Sequence, residues 1–121
     1  MSMPKRISAL AVLLATASAL ALPAAGAFAQ GTELATAVAN AKTPADHEAV
    51  AKQYDALAAQ AESQAALHQK MGANYKQIGG AAIGKYHMDH HCEALVKTAK
   101  QEAADYKAMA AAHRAMATQA K

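Results

Sequence analysis

The sequence predicts an all-α protein: an antiparallel two-helix hairpin that completes a four-helix bundle as a homodimer. Three observations predict it. Alanine supplies 37 of the 121 residues and only 21 are charged, a composition of high helix propensity with too few β-branched residues to build a pleated core. All three prolines fall at or before residue 44, so no proline interrupts the later chain. His, Tyr, Met and Cys recur at seven-residue spacing on both sides of a glycine-rich break, as in two helices that share one packing seam.

Residues 1–29 read as an export signal. Lys5 and Arg6 precede an apolar run over 7–22, Pro23 and Gly26 break it, and Ala27-Phe28-Ala29 forms a small-x-small cleavage site before Gln30. The run is shorter than the ~20 apolar residues a membrane span needs, and no second one follows, so no membrane insertion is expected after cleavage. No twin-arginine pair precedes the run, and no Cys stands at the cleavage point to take a lipid. The expected location is the periplasm, or outside the cell. The remaining 92 residues carry ten Lys/Arg and nine Asp/Glu, a net charge of +1 that removes the electrostatic case for nucleic acid or anionic membrane. Residues 30–42 are read as an N-terminal arm or short helix.

Thr43-Pro44-Ala45-Asp46 opens the hairpin of residues 43–121: a hydroxyl N-cap, proline at the first helical position, and an acid in the first turn. The first long helix is expected over about 44–78. Gly79 and Gly80 stop it, and Gly84 marks the end of a loose connection. The second is expected over about 89–118, with Asp89 as its N-cap. His47, Tyr54, Ala61, His68 and Tyr75 lie seven apart, with Val50, Leu57, Gln64, Met71 and Ile78 three residues after each. Cys92, Ala99, Tyr106 and His113 repeat the arrangement, followed by Leu95, Glu102, Met109 and Met116. Both sets read as an a/d seam. With a turn centred near residue 81 or 82, facing residues carry numbers that sum to about 163, uncertain by about one turn. That register sets Met71 against Cys92, His68 against Leu95, His47 against Met116 and Val50 against His113. An alanine-rich seam buries little area against an ordering cost of ~1–2 kcal/mol per residue, which is the reason for expecting the dimer.

Ligating side chains collect near the turn. Tyr86-His87-Met88-Asp89-His90-His91-Cys92 holds three imidazoles, a thioether and a thiol, and His68 and Met71 approach from the first helix. The expected metal set is His68, Met71, His87, Met88, His91 and Cys92. Thiolate, thioether and imidazole together favour copper as Cu(I), and zinc suits them less. A weaker second set at the far end comprises His47, His113 and Met116. A lone Cys in an exported chain is free, liganded or bonded to another molecule, so a thiol redox sensor is a further alternative.

No enzyme is expected. Ser63 is the only Ser after residue 29 and lies inside the first helix, the glycines sit between helices and not after a strand, and no C-x-x-C-H occurs.

From Thr43-Pro44-Ala45-Asp46-His47-Glu48, through Leu67-His68 and His91-Cys92, to Ala112-His113-Arg114-Ala115-Met116, the chain resembles short alanine-rich exported proteins of proteobacteria. That resemblance implies a periplasmic helical hairpin and brings no established activity. The expected function is sequestration or delivery of a soft metal. The rival expectation is a structural or interaction protein of the cell envelope, without metal, that engages an envelope protein partner.

Overall fold

The computed structural model describes residues 26–120, with side chains from residue 31 onward; the signal assigned to 1–29 lies almost wholly outside them. Among the described residues the protein is all helical, in the order α1 (Gly26–Asn40), α2 (Pro44–Ile78), α3 (Ala81–Gly84) and α4 (Met88–Gln119). No helix among them is long and apolar enough to cross a membrane.

Local chemistry sets each boundary. Thr43 caps α2 by accepting from the Asp46 amide, and the Asp46 carboxylate accepts in return from the Thr43 amide at 2.8 Å and the Lys42 amide at 3.0 Å. Gly79 and Gly80 end α2 at φ 65° and 57° with strongly negative ψ, a region open only to glycine. Nothing lies within 4 Å of a Cβ built on either glycine, so conformation and not space demands glycine here. The expected loose connection contains the short α3. Asp89 is not the cap of α4: His87 takes that place at φ 48° without a side-chain hydrogen bond, and Asp89 falls in the first turn, where it is buried.

α2 and α4 lie side by side and antiparallel. Lys76 pairs with Glu93, Glu62 with Lys107 and Asp55 with Arg114. Each pair's numbers add to 169, about 9 Å of slide beyond the predicted 163 and outside its one-turn margin. Gly72 against Cys92 and His47 against His113 add to 164 and 160, inside it. The seam itself differs from the a/d expectation. On α2 the buried set is Ala51, Ala58, Ala65 and Gly72, seven apart, together with Val50, Tyr54 and Ala61. On α4 it is Asp89, Ala103 and Ala110, in register by sevens, with Cys92, Ala99 and His113. Apart from Val50, which stays buried, the seam therefore uses the residues four after each a position in place of those three after. Of the latter, Ile78, Leu95, Met109 and Met116 are exposed. Small side chains explain the choice, because alanine and glycine let two helix backbones approach where Leu and Met hold them apart.

The shift creates two unlike flanks, each about 80° from the seam centre at 100° per residue. One carries the three ion pairs. The other carries the displaced Leu and Met residues, and α1 lies on part of it. Val50, Ala51, Tyr54 and Ala110 form the buried cluster there, with Leu34, Ala37 and Ala41 packed against it. α1 touches α2 and stands clear of α4.

Candidate functional site

Near the glycine turn, the helices approach closely where α2 lacks a side chain. A Cβ placed on Gly72 would lie 3.2 Å from Cys92 Cβ, so this glycine admits the cysteine to the seam, and Cys92 is only 3% exposed. Beside it opens a cleft of about 390 Å³, bordered by His68, Gly72, Lys76, Asp89, Cys92 and Glu93. Lys76 donates to Glu93 at 2.8 Å, and this hydrogen bond, with the carboxylate's charge, holds the ammonium above its ordinary range.

Two polar atoms at the cleft have no partner. His68 Nδ1 and Asp89 Oδ1 are buried without a hydrogen bond. Asp89 is 7% exposed; its other oxygen, Oδ2, stands 3.8 Å from His90 Nε2. Most buried polar groups are hydrogen-bonded, and each one left bare costs about 1–3 kcal/mol. Both residues border the cleft that Cys92 also lines.

Of the six residues expected to bind metal, the structure brings His68 and Cys92 to this cleft. Met71 and Met88 are half-buried and do not border it. His87 and His91 are exposed, and the His87 ring stacks on His90 with centroids 5.8 Å apart. The cause is the displaced seam: it puts Gly72 where Met71 was expected to face Cys92, and it leaves Leu95, the expected partner of His68, 46% exposed. Among the described residues no group of three His, Cys, Asp or Glu converges to hold a metal ion. Asp89 is the site residue that sequence reasoning missed. Its signal was present, because Asp89, Val96, Ala103 and Ala110 are seven apart and mark the true seam.

The far end is also rearranged. His47 faces His113, with Nδ1 atoms 3.1 Å apart, and not Met116, which is 43% exposed. Val50, expected opposite His113, joins the cluster with Ala110. On the apolar flank a groove of about 640 Å³ runs between α1 and α4, bordered by Leu34, Leu57, Glu102, Tyr106 and Met109. Tyr106 donates its hydroxyl to Glu102 at 3.1 Å; burial first, then this bond, raises the phenol above its ordinary range. Comparison of the chain with protein-family models, curated proteins and solved structures finds no match.

Proposed function

We propose that this chain is an exported helical protein that holds Cu(I) between Cys92 and His68, for sequestration or delivery. One observation carries the reading: a buried thiol shares its cleft with an imidazole nitrogen and a carboxyl oxygen that lack partners. Cu(I) is satisfied by two donors in line, and thiolate and imidazole are ligands it prefers to oxygen. Asp89 then stays outside the coordination and faces the charge of the bound ion. Zinc takes four donors, and the cleft border offers it one thiol, one imidazole and one free carboxyl, since Glu93 is paired with Lys76. Burial of Cys92 weakens the redox-sensor alternative, because sensor thiols need access to oxidant. Export is supported by the signal pattern of residues 1–29.

The test is anaerobic Cu(I) titration against a competing chelator. One copper per chain is expected, lost on Cys92→Ser and weakened at least ~10-fold, or ~1.4 kcal/mol, by His68→Gln. Met88→Leu leaves it unchanged. A protein that takes no copper from the chelator contradicts the proposal.

A second reading has its own support. Leu95, Met109 and Met116 share one seven-residue register on the apolar flank, with Glu102 between the first two, at 43–46% exposure, and Ile78 on α2 is at 71%. Such a stripe is what a helix presents to another helix. A second copy laid flank to flank completes a four-helix bundle, so the copper protein is proposed to act as a homodimer. The purely structural alternative gives the same flank to an envelope protein, with the histidines and Cys92 serving packing alone.

A further inference from the structure

The copper site leaves one pair of imidazoles unused, and the groove beside that pair belongs to the dimer flank already proposed. His47 of α2 and His113 of α4 meet at the end of the helix pair away from the glycine turn, with Nδ1 atoms 3.1 Å apart and ring centroids 5.3 Å apart. His113 is 8% exposed. The Tyr54 ring lies 5.7 Å from it and stacks in turn on Tyr106 at 6.2 Å. A bond between two Nδ1 atoms requires a proton on one and a lone pair on the other. The neutral pair satisfies this. So does the pair with one extra proton, placed on an outward Nε2. With two extra protons both Nδ1 atoms carry hydrogen, the bond is lost, and two like charges face each other in a half-buried place.

We propose that His47 and His113 form an acid-operated clasp, which keeps this end of α2 and α4 closed while the pair holds at most one extra proton and opens it when a second arrives. The surroundings make the second proton costly. On α2, the Asp46 carboxylate accepts from the amides of Thr43 and Lys42, and its charge favours a proton on His47, so the costly second proton falls to His113. Glu48 lies 3.7 Å from Arg114 Nε, and Asp55 also binds that guanidinium, so the acids nearest the pair are engaged by a cation next to His113. On α4, Tyr106 directs its hydroxyl to Glu102. α1 brings Leu34 and Ala37 to the adjoining cluster, and Ala41 follows from the segment after it. Burial first, and the charge of His47 second, push the His113 imidazole below its ordinary range.

The sign follows from that direction. A depressed histidine in the folded state means that the unfolded chain binds its proton first. The stability is therefore complete above the ordinary imidazole value, 6.5, and falls as acid carries His113 down through its lowered one. α1 rests on the cluster next to the clasp, so opening frees that helix with it.

The test is a side-chain ¹⁵N NMR titration of the full chain from pH 7.5 to 5, above the carboxylate range, with amide exchange followed in parallel. The expected record shows His47 and His113 titrating as a coupled pair, one Nδ1 protonated and one bare at the start. Relative to the intrinsic rate at each pH, exchange of amides near residues 47–54 and 106–113 should accelerate at least ~10-fold across the window, and that of amides around Cys92 should not. His47→Gln keeps a neutral hydrogen-bonding group and should remove the acceleration. Independent titrations at ordinary midpoints in the unaltered protein overturn the proposal, as does unchanged acceleration in the variant. The first of these outcomes decides the matter even where the variant does not fold.

Discussion

Gly72 and Thr43 act through what they leave out and what they supply. A glycine inside a helix costs roughly 1 kcal/mol relative to alanine, and Gly72 recovers it by letting Cys92 into the seam at 3.2 Å from where a methyl would stand. Gly72→Ala is expected to gain no stability and to expose the thiol, read as faster labelling of Cys92 by a thiol reagent. A variant stabilised by the full propensity difference, with its cysteine equally protected, would show that the close approach does nothing. Thr43→Ala removes one half of the reciprocal cap and should cost about 1 kcal/mol in thermal unfolding. Asp46, through its hydrogen bonds from Thr43 and Lys42, and Asp55, through Arg114, are both held below the ordinary carboxylate value of 3.8. Depressed carboxylates contribute stability above that value and lose it as pH falls through their lowered ones. Melting temperature should therefore drop below about pH 4, separately from the histidine step at higher pH.

For the helices, the limits and type of each long element were readable in the sequence because caps and glycines are local signals. The choice of seam was not. Both the stripe three residues after each a position and the stripe four after it repeat by sevens, and hydrophobicity favours the first, which holds Leu and Met. The structure takes the second because the gain from close backbone approach is a property of two facing helices, invisible in one stretch of sequence. Ala58 and Ala103 are buried in this stripe, at 1% and 3% exposure, so Ala58→Leu should force the pair apart and cost ~1–3 kcal/mol. Equilibrium denaturation checks this; an unchanged midpoint would place the alanines outside the contact. The three ion pairs set register more than they add stability, since exposed pairs contribute about 0–1 kcal/mol each.

At the level of the whole molecule, the same displaced seam decides what the chain can do. It turns Leu95, Met109 and Met116 outward, it keeps Met71 and Met88 off the border of the cleft, and it brings Asp89 in beside Cys92. Of the side chains grouped from the sequence near the turn, His68 and Cys92 border one cleft. Met71, His87, Met88 and His91 do not, because neighbours in sequence point to different faces of a helix. If the outward stripe joins two copies, Leu95→Lys with Met109→Lys should leave the helical circular dichroism unchanged and convert the dimer to a monomer in sedimentation. A monomeric unaltered protein at micromolar concentration would end the four-helix-bundle proposal without touching the copper site. The metal claim is tested most directly by X-ray absorption at the copper edge of Cu(I)-loaded protein. Coordination by Cys92 and His68 requires a copper bound to one sulfur and one imidazole nitrogen, with the imidazole signal gone in His68→Gln. A sulfur-free shell, or an identical spectrum from Cys92→Ser, would contradict it.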